Sequence, residues 1–117
     1  MKNNIVVDKS RDFAIRIVNL YKYLTSEKKE FVLSKQLLKS GTSVGANIKE
    51  AIRGQSRADF TAKMNIALKE ISESEYWLDL LHATGYLENK EFESVNEDCK
   101  ELIRLLFAIV KSSKATL

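Results

Sequence analysis

From Leu33 to Ala51, residues able to pack against a neighbour recur at steps of four, four, three, four and three: Leu33, Leu37, Gly41, Val44, Ile48 and Ala51. That phase marks one face of an α-helix, and it runs through two glycines without a slip. A break and restart, with Asn47 and Glu50 as an N-cap and its third-position partner, would reset the phase. One continuous helix is therefore expected. Each glycine costs such a helix about 1 kcal/mol relative to alanine, so something must offset the loss. Close approach of a second helix is the leading candidate, because Gly41, Gly45 and Ala46 strip bulk from adjoining faces.

A ligand-binding loop is the competing reading of "SGTSVGANIKEA". A phosphate-cradling Walker loop needs four residues between its glycines, then Lys and Ser or Thr, after a strand. Here three residues separate Gly41 from Gly45, Ala46 and Asn47 follow, and no strand pattern precedes. Dinucleotide fingerprints fail on the same grounds.

Three more stripes flank this one. Phe13, Ile17, Leu20 and Leu24 form the first, widened by Ala14, Val18 and Tyr21. Phe60, Met64, Ala67, Ile71, Ser74, Leu78 and Leu81 form the third; Phe92, Val95, Cys99, Leu102, Leu106 and Ile109 or Val110 form the fourth. The 117 residues contain no proline to interrupt a helix. Punctuation falls at the joints: polar "TSEKKE", a C-terminal Gly54 suited to positive φ, Ser56 with Asp59 as a capping pair, Gly85 as a stop, and Asn89 as an N-cap. The tail "KSSKATL" reads as polar and frayed. Helices over about 9–25, 31–53, 57–84 and 90–112 predict a single all-α domain, an up-down-up-down antiparallel four-helix bundle. Helix 4 adds Ile103, Phe107 and Val110 beside its stripe, which implies burial on a second side, as at a subunit interface.

Charge is unevenly distributed. Residues 1–69 hold fourteen Lys and Arg against six Asp and Glu, a net +8; residues 70–117 hold five against ten, a net −5. Such asymmetry suits a nucleic-acid surface or complementary faces for self-association. Around helix 2, Gln36, Ser40, Ser43, Asn47 and Glu50 make a polar stripe. In a helix 2–helix 3 hairpin centred on Ser56, that stripe sets Glu50 near Lys63 and Lys39 opposite Glu73. On a third face Lys35, Lys39, Lys49 and Arg53 fall on one line, with Arg57 just beyond. With Arg11 and Arg16 of helix 1, this ridge is the candidate phosphate-binding surface.

The stretches "FAIRIVNLYKYL", "LSKQLLKSGTSVGANIKEA" and "DFTAKMNIALKEISESEYWLDLLHATGYL", with their spacing, resemble the bacterial four-helix-bundle family encoded in intervening sequences of large-subunit ribosomal RNA genes. That family carries a ribosomal-protein-like label and is similar to the accessory protein of diversity-generating retroelements. The resemblance covers about residues 10–110. It implies a ring-like homopentamer with a basic surface, binding of structured RNA or DNA, and, from the retroelement relative, a protein partner such as a reverse transcriptase. A scaffold that binds protein without recognising nucleic acid is the alternative. The family pattern falls on Gln36, Leu37, Ser40, Ser43, Asn47, Ile48, Glu50, Ala51, Phe60, Ala67, Glu70, Glu73, Trp77 and Leu78. Together with Gly41, Gly45 and Lys63, these positions read as packing and assembly determinants.

No catalytic or metal constellation emerges, and no cofactor is expected. His82 has no further ligand at suitable spacing. Glu70, Glu73 and Glu75 read as solvated or lysine-paired. Cys99, the only cysteine, lies on an apolar stripe and precludes an intrachain disulfide. Trp77 beside Tyr76 could stack a base, but within "YWLDLL" it reads as packing. A non-enzymatic protein of the cytoplasm is the expectation, since no apolar run has the length of a signal peptide core or a membrane span.

Overall fold

The computed structural model describes residues 2–115, which form four α-helices and no strand: α1 (Lys2–Ser26), α2 (Leu33–Ile52), α3 (Arg57–Ala83) and α4 (Asn89–Ala115). Each helix packs on its sequence neighbour and α4 returns to α1, while the backbones of the diagonal pairs stay apart. Every seam is antiparallel. Gly45 meets Ser10 and Gly41 meets Ile17 across α1–α2. Ser40 bonds Ser74 and Glu50 bonds Lys63 across α2–α3. Cys99 reaches Ile71 across α3–α4, and Lys9 reaches Glu101 across α1–α4. The product is an up-down-up-down bundle of 46 × 20 × 20 Å.

The stripes become the core: Phe13, Ile17, Leu20, Leu24, Leu37, Val44, Ile48, Met64, Ile71, Leu78, Leu81, Val95, Cys99, Leu102 and Leu106 are all buried. Helix α1 begins at Lys2, earlier than the expected Lys9. Its stripe runs back through Ser10 and Val6, both buried. The Ser10 hydroxyl donates to Val7 O at 3.0 Å, and the small side chain admits α2. Helix α4 continues past the expected end at 112, through Ala115. Ser113 is buried with its hydroxyl bonded to that of Thr61, so this part of the "KSSKATL" tail is packed and not frayed. Thr116 and Leu117 lie outside the described residues.

The joints differ in instructive ways. Ser56 Oγ accepts from Asp59 N at 3.0 Å, as the capping pair predicts. Helix α2 starts at Leu33, after Phe31, because Glu30 folds its carboxylate over the helix end. Its oxygens accept from Val32 N, Leu33 N and Ser34 N at 3.1, 2.9 and 2.7 Å, serving amides that no helical carbonyl reaches. Gly54 does not take positive φ; among the glycines of the described residues that conformation belongs to Gly85, at +87°. Gly54 is instead a matter of room, since a Cβ there would lie 3.0 Å from Ala51 O and 3.2 Å from Asp59 Cβ. Asn89 does not cap α4: its side-chain oxygen pairs with His82 Nε2 at 2.6 Å.

The second side of helix α4 is largely absorbed inside the bundle. Val110 is buried and Ile103 packs against the core, leaving Phe107 as the exposed member, at 57%. Of these three residues, Phe107 alone still presents apolar surface that a subunit interface would bury.

Candidate nucleic-acid interface

The glycines of α2 explain how this helix presents its outer face. A Cβ at Gly41 would stand 3.0 Å from both Cγ atoms of Ile17, and one at Gly45 would stand 3.3 Å from Ser10 Oγ. Carbon pairs prefer about 3.5–4.0 Å. Helix α1 thus lies so close to α2 that even a methyl at Gly41 would force Ile17 to give way by a few tenths of an ångström. This is the close approach that offsets the helix-weakening cost of glycine. With α1 held on one flank and α3 on the other, the remaining arc of α2 faces away from the core.

That arc carries the ridge. Lys35, Lys39, Lys49 and Arg53 are all exposed, and none forms an ion pair with a carboxylate among the described residues. At 3.6 residues per turn their positions share about 80° of arc, opposite buried Leu37, Val44 and Ile48. Arg57 is exposed beyond the turn, on the first residue of α3. Arg11 is exposed next to Ser10, and so lies level with Gly45. The same register sets exposed Lys22, which the sequence reading does not single out, at the height of α2's first turn.

Arg16 is not part of this surface. Its guanidinium donates to Asp98 at 2.9 Å and Ser94 Oγ at 2.8 Å, and Glu91 lies 3.8 Å away. Lys9 likewise reaches Glu101 at 3.1 Å. The charge asymmetry is thus partly spent inside the molecule, where cations of α1 pair with carboxylates of α4. A sequence signal existed: 9 and 16 on α1, and 91 and 98 on α4, share a seven-residue spacing that sets each pair on one face.

The α2–α3 seam holds the packing candidates. Glu50 and Lys63 pair at 3.0 Å, as the hairpin register predicts. Lys39 lies by Glu70, whose carboxyl burial and neighbouring Glu73 push above the usual range while Lys39 opposes the rise. No ion pair joins Lys39 to Glu73 among the described residues. Glu73 instead accepts from Trp77 Nε1 at 3.0 Å, and the indole is half-buried with Tyr76 edge-on at 5.2 Å. Asn47 donates to Ser43 O, one turn back on its own helix. Ser40 leaves the polar stripe altogether: it is buried and hydrogen-bonded to Ser74 at 2.8 Å. Where the seam meets the turn, a cleft of about 620 Å³ lies between Lys49, Glu50, Arg53, Asp59 and Lys63.

Other reactive side chains have structural surroundings. His82 stacks on Phe92 with centroids 4.1 Å apart and planes 4° from parallel. Burial, then Glu75 and Asp98, push the Cys99 thiol up to about 12, a value at which thiolate is negligible at neutral pH. Among the described residues no group of three or more His, Cys, Asp or Glu is placed to hold a metal ion, and no helix is long and apolar enough to cross a membrane.

Comparison with known proteins agrees with this architecture. A family model described as "23S rRNA-intervening sequence protein" matches residues 2–108. A crystal structure of a protein of unknown function from the S23 ribosomal protein family, from Bacteroides thetaiotaomicron, is 60% identical and superposes with a TM-score of 0.93. The alignment covers 95% of this chain and 99% of that one. No curated protein matches the chain.

Proposed function

We infer that this chain, which belongs to the 23S rRNA-intervening sequence protein family, is a non-enzymatic protein that binds nucleic acid, RNA in preference to DNA, through the basic outer face of α2. The observation that carries this reading is the ridge itself. Three lysines of α2 and its C-cap Arg53 face away from the core and form no ion pair among the described residues, with Glu70 beside Lys39 as the one carboxylate whose charge is felt, while Lys9 and Arg16 of α1 are paired. Exposed charge of one sign that no ion pair within the bundle neutralises is the electrostatic footprint expected of phosphate binding.

Fluorescence anisotropy of a labelled structured RNA across a salt series tests the reading. Four phosphate contacts give log Kobs against log salt a slope of about −3 to −4. Charge reversal at Lys39, Lys49 and Arg53 is expected to flatten that slope and abolish binding. A salt-independent response, or full binding by the reversed variant, would refute it.

A second reading is favoured by the acidic side of the molecule. Between Glu70 and Glu101, on the α3–α4 hairpin, ten carboxylates stand against two lysines. The ridge of one copy could seat on that hairpin of the next, in a ring-like homo-oligomer that serves as a scaffold. Light scattering without nucleic acid separates the two: here the same reversals dissolve an oligomer, and a monomer at micromolar concentration excludes it.

A further inference from the structure

The ridge has an internal spacing. Lys35 and Lys39 are one turn apart, as are Lys49 and the C-cap Arg53, and Lys49 lies ten positions along continuous helix from Lys39. At 1.5 Å per residue each pair spans about 6 Å, and the gap between the pairs is about 15 Å. The ridge is therefore two basic clamps on one rod and not an even row.

The gap between the clamps is thin and chemically quiet. Thr42 and Ala46 occupy the same outward arc there, with Ser43 at its edge. Thr42 Oγ1 donates to Leu38 O, and Ser43 Oγ to Lys39 O, both at 2.7 Å. The hydroxyls are turned back onto the helix, and exposed Ala46 offers a methyl. With both hydroxyl protons committed to the helix, nothing in this saddle projects a donor toward base edges, and only hydroxyl lone pairs remain to accept.

We propose that α2 lies across the minor groove of double-stranded RNA, with Lys35 and Lys39 on one phosphate strand, Lys49 and Arg53 on the other, and the Thr42–Ala46 saddle over the groove. This deepens the nucleic-acid reading above and rests on it. A single strand offers one backbone, so one rigid rod engages it with one clamp at a time. B-form DNA fits less well: its minor groove is about 6 Å wide, too narrow for cations about 15 Å apart, and its major groove is read largely by bidentate donor–acceptor side chains and point donors that the saddle lacks. The A-form minor groove is wide and shallow, and double-stranded RNA is recognised there by shape, through phosphates and 2′-hydroxyls. A convex helix back with charge at both ends and small residues between them matches that surface, and the recognition is independent of base sequence.

The test titrates the full chain with a 20-base-pair RNA duplex, its isolated strand, and the DNA duplex of the same sequence. The proposal expects the RNA duplex to bind at least tenfold more tightly than either alternative, and an RNA duplex of shuffled sequence to bind equally. K35E/K39E and K49E/R53E should each weaken duplex binding by a similar factor and reduce the salt slope by about two. A46F should lower duplex affinity at least tenfold by propping the helix off the groove, with single-strand binding unchanged. Because Ala46 is exposed, the circular dichroism of A46F should match the parent. Equal affinity for duplex and strand, equal affinity for RNA and DNA duplexes, or an A46F that binds duplex normally overturns the bridging geometry while leaving a basic RNA surface standing. Absence of salt-dependent binding to every RNA overturns both.

Discussion

Replacing Gly41 by alanine sets two known effects against each other. Alanine gains about 1 kcal/mol over glycine inside a helix, so an unconstrained site would be stabilised. At Gly41 the new methyl would meet Ile17 Cγ1 and Cγ2 at 3.0 Å and Ile17 Cβ at 3.3 Å. Ile17 is fully buried and branched at the contact, so it has no free rotamer to retreat into. Overpacking of this kind costs about 1–3 kcal/mol, and G41A should lose about 1 kcal/mol net. Gly45 provides the control, since its closest contact is a serine oxygen at 3.3 Å. G45A should fall between neutral and about 1 kcal/mol more stable. Urea unfolding with a common m-value reads both. Truncation of Ile17 supplies the mechanism test: I17A alone should cost about 2–5 kcal/mol, but in that background G41A should become stabilising. If G41A is as stable as G45A, or if its sign does not change with I17A, close helix approach is not what the glycines serve.

Three further expectations follow from the seams and caps. E30Q should cost about 1–2 kcal/mol near neutrality by weakening the cap on α2. Burial raises the Glu30 carboxyl, but three backbone amides outweigh it and hold it below its ordinary value of 4.5. The wild-type advantage should therefore be complete above pH 4.5 and vanish as pH falls through the lowered folded value; an advantage that grows on acidification contradicts the cap. A double-mutant cycle on Glu50 and Lys63 should return a coupling of about 0.2–1 kcal/mol, as both side chains are substantially exposed. Strict additivity would remove the pair as a register determinant. Cys99 should resist a thiol-reactive disulfide reagent in the native protein and react at once in denaturant, whereas rapid native modification would contradict its burial.

The stripes were legible because helical phase depends only on spacing, and spacing survives substitution of a glycine or serine for a larger residue. The same rule carried the α2–α3 register, from which Glu50 against Lys63 follows. Small polar residues are where sequence reasoning weakened. Ser40 reads as polar stripe and Ser113 as frayed tail, and Ser10 is no member of the apolar stripe of α1, yet all three are buried. A serine hydroxyl satisfied by a backbone carbonyl or a second hydroxyl loses most of its polarity cost, and the sequence does not display the partner. Arg16 was misassigned to the ridge for a similar reason. Its charge is visible in sequence, but whether it meets phosphate or Asp98 depends on which face of α1 turns toward α4. The basic line of α2 needed no partner to be found, because its residues share a face by spacing alone.

Photo-crosslinking of bound RNA followed by peptide mass spectrometry tests the central claim most directly. The account predicts crosslinks at Lys35, Lys39 and Lys49 of α2 and at its C-cap Arg53, absent from the α3–α4 hairpin between Glu70 and Glu101. Crosslinks concentrated on that hairpin, or spread evenly over the surface, would contradict it.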